Sequence, residues 1–222
     1  MSSNEPSPSL LLLLVVLLLS WTLCRGDPEP VQDFCVAAPH GSGELAFPGL
    51  PCKPSSSVVS DDFFFAAHAR GASTDNAMGS GVTPGNVEAF PGLNTLGVSI
   101  NRVDLAPGGV NPLHSHPRAA ELVHVVVGEM LVGFVSTEGR FYSKVVREGE
   151  SFVIPRGLMH FQYNVGRETA VGIAAYSSPN PGLLIIDFAV FKSTLAADVV
   201  EKITFLQQAE VKRLKGVFGG SG

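Results

Sequence analysis

Four residues have the types and spacing of a metal site: His114, His116, Glu121 and His160. His114 and His116 are two positions apart, so on a β-strand both imidazoles project from the same face. Turn-forming glycines and prolines flank this pair, and a short strand around His160 would bring a third imidazole beside it. Three imidazoles and one carboxylate make a complete protein ligand set for a divalent ion that keeps open positions. The sequence therefore predicts a metal site.

The ligand types restrict the kind of ion. No cysteine lies near the four residues in the sequence, which disfavours a closed structural zinc site. Three nitrogens and one carboxylate oxygen suit an octahedral ion such as Mn²⁺ or Fe²⁺, with two positions left for water or substrate. We interpret the remaining histidines, His40, His68 and His124, as hydrogen-bonded core or surface residues rather than ligands.

Short runs of alternating polarity recur from Leu96 onward and predict the strands that carry the ligands. Gly128 and Glu129 separate two runs and are interpreted as a hairpin turn. Residues 71–81 are interpreted as a mobile loop, and residues 183–191 as one more apolar strand. The short, regular spacing is typical of an antiparallel sandwich or barrel, so the predicted fold class is all-β. The other predicted strands are 96–105, 121–127, 130–136, 140–146, 151–154, 160–164 and 170–176.

The C-terminal part has a different pattern. Residues 195–202 and 207–217 contain few turn formers, and their apolar residues recur at helical spacing. We predict two short amphipathic helices whose apolar faces must be buried. Packing between subunits is the favoured arrangement, which predicts a homo-oligomer; the alternative is that both helices pack on their own barrel.

The N-terminal part has features of a secreted protein. Residues 10–19 form an unbroken apolar run, too short to span a bilayer, which takes roughly 20 residues. The run is typical of a secretory signal peptide, which we predict over residues 1–26, with an uncleaved anchor as the alternative. Removal of Cys24 leaves Cys35 and Cys52, an even pair that could form a disulfide in an oxidising compartment. Two unpaired buried thiols are the other possibility.

These patterns divide the mature chain into three parts. Residues 27–60 form a predicted irregular N-terminal arm, residues 61–192 the barrel, and residues 193–222 the helices for subunit packing. The formal net charge is −5 and the sequence has no basic block. Neither nucleic acid nor an anionic membrane surface is therefore an expected partner, and no membrane span is predicted.

Two spaced motifs resemble those of the cupin superfamily, and the sequence around them is even more similar to plant germins and germin-like proteins. The first motif, G-x5-H-x-H-x4-E-x6-G, runs from Gly108 to Gly128, and the second, G-x5-P-x-G-x2-H-x3-N, runs from Gly149 to Asn164. The segments that resemble germin-like proteins are QDFCV at 32–36, CKP at 52–54, FPGLNTLG at 90–97 and PRGLMHFQ at 155–162.

The resemblance implies a fold and a ligand set. The fold is a β-jellyroll cupin barrel whose C-terminal helices clasp neighbouring subunits in a hexamer, a trimer of dimers. The implied ion is Mn²⁺, and the implied location is the apoplast or cell wall, with a role in plant defence. By position, the metal ligands are His114, His116, Glu121 and His160. The disulfide joins Cys35 to Cys52.

The resemblance leaves the activity open. Germin oxalate oxidases convert oxalate and O₂ to CO₂ and H₂O₂, and two of their asparagines, which match Asn101 and Asn111, can hydrogen-bond the substrate. The alternative is that Asn101 is a surface strand residue and Asn111 a turn residue. Some germin-like proteins are instead superoxide dismutases. A third possibility is a wall or defence protein without turnover.

Overall fold

The computed structural model describes residues 32–38 and 49–222. The predicted signal peptide, parts of the predicted N-terminal arm and His40 lie outside these residues. Within the described part, the chain forms strands and a few short helices. The strands are β1 (Ser80–Gly85), β2 (Ser99–Leu105), β3 (Val110–Ser115), β4 (Glu121–Val127), β5 (Glu129–Val135), β6 (Phe141–Arg147), β7 (Ser151–Ile154), β8 (Met159–Asn164), β9 (Ala170–Tyr176) and β10 (Leu184–Ile185).

The strands form two five-stranded sheets, in the orders β1-β2-β9-β4-β7 and β10-β3-β8-β5-β6. Every pairing within them is antiparallel. Consecutive strands often lie in opposite sheets, which is the arrangement of a jellyroll. The predicted all-β cupin jellyroll is therefore confirmed.

The core lies between the two sheets and follows from the alternation along each strand. On β4, Val123 and Val125 are buried, whereas Leu122 and Val126 are exposed on the outer face. Because successive side chains of a strand point to opposite faces, one set of apolar residues fills the interior. The buried cluster comprises Val103, Leu105, Ala119, Val123, Val125, Met130, Val132, Val146, Ile154, Ala170, Ala174 and Tyr176.

Two helices follow the barrel, α1 (Ala197–Thr204) and α2 (Gln208–Phe218). They agree with the two predicted amphipathic helices to within two residues at each end. The two helices share a small separate cluster of buried side chains, formed by Ala197, Val200 and Val211. The shorter helical turns are the 3₁₀ segments Ser55–Ser57, Ser60–Phe63, Ala67–Ala69 and Pro91–Leu93 and the π-helical turn Phe188–Lys192.

The predicted hairpin at Gly128 is wrong. The strands on its two sides, β4 and β5, lie in different sheets and do not pair with each other. Gly128 has a φ of 77°, and a Cβ there would come within 3.2 Å of Ala170. The glycine therefore lets the chain cross closely from one sheet to the other, where a hairpin would have kept it in the same sheet.

The predicted strand over residues 183–191 is also largely wrong. Only Leu184–Ile185 pairs with β3, and the chain then forms the π-helical turn. Phe188 and Phe191 pack on Phe218 of α2, with ring centroids 6.1 and 5.8 Å apart. Their spacing of three residues suits a helical turn, so packing against α2 competes with the strand. The predicted loop over residues 71–81 is shorter than expected because β1 begins at Ser80.

The described part of the N-terminal arm is held by a disulfide. Cys35 and Cys52 are bonded, with a sequence separation of 17, and Ala37 forms an isolated bridge with Cys52. The predicted pairing is therefore confirmed. Lys53 forms an ion pair with Asp62 at 2.8 Å. Among residues 32–38 and 49–222, no helix is both long and apolar enough to cross a bilayer.

Candidate metal centre

The four predicted ligands meet inside the barrel. His114 lies on β3 opposite His160 on β8, Glu121 begins β4, and His116 follows the end of β3. One potential ligand atom from each residue lies within 4.8 Å of all the others, and each residue is at most 4% exposed. The site therefore joins both sheets, with Glu121 contributed by the sheet opposite the histidine strands.

Each imidazole is oriented by a backbone carbonyl. The Nδ1 atom of every ligand histidine lies within hydrogen-bonding distance of a carbonyl oxygen, so Nδ1–H donates and Nε2 keeps its lone pair. The partners are Pro112 O for His114 (2.7 Å), Gly182 O for His116 (2.5 Å) and Leu158 O for His160 (2.8 Å). All three rings therefore present Nε2 to the centre of the cluster in the tautomer that binds a metal.

The four potential donor atoms are arranged for binding a cation, because hydrogen bonds among them do not satisfy all four. His116 Nε2 is buried and makes no hydrogen bond to residues 32–38 or 49–222. Glu121 Oε2 lies 3.1 Å away, but that contact is poorly aligned for a hydrogen bond. His160 Nε2 lies 2.8 Å from the same oxygen. Buried polar atoms are nearly always paired, so an unpaired Nε2 facing a carboxylate points to an ion between them. The residues present therefore fit a divalent metal.

Electrostatics keep two of the four residues, His114 and Glu121, in the protonation states that bind a metal. Burial, followed by the neighbouring His160, lowers the pKa of His114 to about 3, so this imidazole is neutral at pH 7. Burial by itself raises the pKa of Glu121, but hydrogen-bond donation and positive charge from the His116 and His160 rings outweigh burial and lower that pKa to about 2. A bound cation would supply this positive charge instead when both Nε2 atoms carry lone pairs. A metal therefore displaces no proton from either group at neutral pH.

Two successive hydrogen bonds hold the Oε1 atom of the Glu121 carboxylate. Gln162, 1% exposed, donates from Nε2 to Glu121 Oε1 at 3.1 Å. Asn111 in turn donates from Nδ2 to Gln162 Oε1 at 2.7 Å. These contacts leave Glu121 Oε2 directed at the histidines. The sequence reasoning named Asn111 but missed Gln162, which its position two residues after His160 on the same strand could have revealed.

A second polar pair lies beside the ligands. Tyr176 is opposite Glu121 in the β4–β9 pairing, and its ring packs edge-on against His116 with centroids 4.7 Å apart. Its hydroxyl accepts a hydrogen bond from Asn101 Nδ2 at 3.2 Å. Burial and then the charge of Glu121 raise the pKa of Tyr176 well above its ordinary value, so the phenol stays protonated. Sequence reasoning missed Tyr176, because only strand pairing brings it to the site.

The other histidines of the described chain lie outside this cluster. His68 Nε2 is 3.2 Å from the Thr83 carbonyl oxygen, and burial lowers the pKa of its ring. His124 Nδ1 is 3.0 Å from Ser151 Oγ on the outer side of β4. Both have ordinary hydrogen-bond partners.

Two sheets around a buried three-histidine, one-glutamate cluster define a cupin, and comparison with known proteins gives the same class. The family model described as Cupin matches residues 66–212. Germin-like protein 3-7 of Oryza sativa subsp. japonica is 59% identical over 216 residues, 96% of this chain and 93% of that protein. Oxalate oxidase 2 of Hordeum vulgare is 45% identical over 211 residues, 93% of this chain and 94% of that protein.

A solved structure gives the same assignment. The structure described as recombinant oxalate oxidase in complex with glycolate matches with a TM-score of 0.83 and 44% identity, over 88% of this chain and 100% of that one. The chain therefore belongs to the cupin family and, within it, to the germin-like proteins.

Proposed function

We propose that this germin-like protein is secreted to the apoplast or cell wall, binds Mn²⁺, and has a role in plant defence. The observation that carries the metal proposal is the buried cluster of four potential ligand atoms, one of which has no hydrogen-bond partner in the described part of the chain. The apolar run at residues 10–19 and the Cys35–Cys52 disulfide support secretion, since disulfides persist in oxidising compartments.

The donor set supports Mn²⁺ as the ion. Three imidazole nitrogens and one carboxylate oxygen can be completed to an octahedron by two further ligands, as Mn²⁺ prefers. When bound, the ion would supply a positive charge that attracts a small anion and a centre able to exchange electrons. The chain's own contribution is to hold three imidazoles and one carboxylate in place and to keep the site inside the barrel.

The first test compares metal content in secreted proteins. Wild-type protein is expected to carry manganese, and His116→Ala is expected to lose it because one of four ligands is gone. His124→Ala serves as the matched control, since that imidazole bonds Ser151 outside the cluster. Manganese retained equally by all three proteins would contradict the assignment of the site. N-terminal sequencing that begins at Asp27 would support the predicted signal peptide.

Oxalate oxidase activity is a second candidate, and superoxide dismutase activity a third. The match to an oxalate oxidase over its whole length favours the second, together with the two inward amide side chains of Asn101 and Asn111. In this reaction the oxalate dianion loses two electrons as its C–C bond breaks to give two CO₂. One O₂ accepts those electrons with two protons and becomes H₂O₂.

The activity test uses manganese-loaded protein with His116→Ala as control. H₂O₂ released from oxalate at mildly acid pH supports oxalate oxidation. Superoxide scavenging without H₂O₂ release supports the dismutase. Bound manganese with neither activity supports a wall or defence protein without turnover.

We also propose that the protein is a homo-oligomer, a hexamer built as a trimer of dimers. Its helices bury one apolar face within the chain but leave other large apolar side chains in solvent, including Phe205, which is 90% exposed, and Ile203 and Val217. Light scattering should give a mass of six chains for the wild type and a lower mass for Phe205→Glu. Lys212→Glu, an exposed change on α2, should leave the mass unchanged. A monomeric wild type would contradict the proposal.

A further inference from the structure

The orientation of the Asn101 side chain is fixed by the backbone. The Gly85 N–H donates to Asn101 Oδ1 at 3.1 Å, so the oxygen faces β1. The amide NH₂ group must then face the other way, where it meets the Tyr176 hydroxyl at 3.2 Å. Asn101 is therefore a donor to Tyr176, and the phenolic oxygen is an acceptor.

This contact leaves the hydroxyl hydrogen of Tyr176 to be used elsewhere. Among the described residues, the Asn101 contact is the one hydrogen bond of this hydroxyl, and the O–H donates to none of them. Tyr176 is 5% exposed, and the O–H of a buried tyrosine almost always finds a partner. Its ring touches His116, and its backbone is paired with Glu121, so the donor lies beside the metal ligands.

The charge of the site selects the kind of partner. A divalent ion with one carboxylate ligand has a net charge of about +1, which favours an anion. We propose that the Tyr176 hydroxyl donates a hydrogen bond to a small carboxylate bound at the metal, and that Asn101 positions this hydroxyl. The inference rests on the second candidate function. It also changes the predicted role of Asn101, which acts on the ligand through Tyr176.

Glycolate is a suitable probe, because it carries a carboxylate and can be titrated without O₂. The experiment measures its dissociation constant for the manganese-loaded, secreted protein by calorimetry. Tyr176→Phe keeps the ring against His116 but removes the donor. We expect binding to weaken by about ten- to a hundred-fold, as for a lost hydrogen bond to a charged group. Tyr142→Phe, which removes the hydroxyl of an exposed tyrosine on β6, should bind as the wild type does.

A double-mutant cycle separates positioning from direct contact. Asn101→Ala should weaken glycolate binding by about two- to ten-fold, since the hydroxyl loses its fixed orientation. In a Tyr176→Phe background the same change should have little further effect, because its target is gone. Additive losses would show that Asn101 contacts the ligand directly and would overturn the positioning role.

Metal content, measured on the same samples, distinguishes the ways in which the inference can fail. Equal glycolate affinity in Tyr176→Phe and wild type overturns the proposed donor and leaves manganese binding intact. A manganese-loaded wild type that binds no glycolate overturns both the donor and the carboxylate site. A Tyr176→Phe protein without manganese also overturns the inference, since the hydroxyl would then support the metal site itself. Retained manganese with weakened glycolate binding is the supporting result.

Discussion

Replacing Gln162 with leucine would test how Glu121 is held. The change removes the Nε2 donor to Glu121 Oε1, 3.1 Å away, and leaves the Asn111 amide without its acceptor. A hydrogen bond to a charged group contributes about 1.5–3 kcal/mol. Loss of a group that orients a metal ligand typically lowers metal affinity about 10- to 100-fold, or about 1.4–2.7 kcal/mol. The two estimates agree, so we expect Gln162→Leu to bind Mn²⁺ about 10- to 100-fold more weakly.

The assay is a competition titration of manganese between the protein and a chelator of known affinity. Gln208→Leu, an exposed glutamine at the start of α2, is the matched control and should keep wild-type affinity. A melting curve of metal-free protein would show whether Gln162→Leu still folds. A folded Gln162→Leu protein with wild-type manganese affinity would refute the claim that this amide orients the carboxylate.

Three further predictions concern stability. Thr95 is a β-branched residue with a φ of 67°, and its buried Oγ1 has no hydrogen-bond partner among the described residues. Thr95→Gly should therefore raise the melting temperature by about 2–4 °C, and a lowered melting temperature would contradict the backbone strain. Removing the disulfide in Cys35→Ala/Cys52→Ala opens a loop with a sequence separation of 17 and should cost about 3 kcal/mol in urea unfolding, whereas an unchanged midpoint would show that the arm is held otherwise. In the unfolded chain His114 takes up a proton below its ordinary pKa of 6.5, whereas in the folded chain it does so only near pH 3. The stability that His114 contributes is therefore present above pH 6.5 and is lost as the pH falls below 6.5. Metal-free protein should therefore be about 2 kcal/mol less stable at pH 5 than at pH 7, and equal urea midpoints would contradict this.

The shared face of His114 and His116 could be predicted because strand periodicity is local. Two histidines at i and i+2 must share a face, and turn residues mark the ends of their strand. The spacing of residues in the sequence could not predict the register between strands. His114 lies opposite His160 only because β3 pairs with β8. The same limit hid Tyr176, whose place beside Glu121 depends on the pairing of β4 with β9. Residues that meet through long-range pairing leave no signal at fixed spacing.

The two wrong predictions of secondary structure, the hairpin at Gly128 and the strand over residues 183–191, have the same cause. Gly128 follows one strand and precedes another, which is also the pattern of a hairpin, and only the global topology places β4 and β5 in opposite sheets. Residues 183–191 are apolar enough for a strand, but Phe188 and Phe191 pack on Phe218 of α2. Local preference was overridden by tertiary packing in both cases.

The claim that a manganese ion is held by His114, His116, Glu121 and His160 can be tested most directly by diffraction from crystals of the secreted protein. Data collected on both sides of the manganese absorption edge should give an anomalous difference peak among the three Nε2 atoms and Glu121 Oε2. A peak that appears only at the edge of another metal would contradict the manganese assignment. The absence of any peak there would contradict the metal site itself.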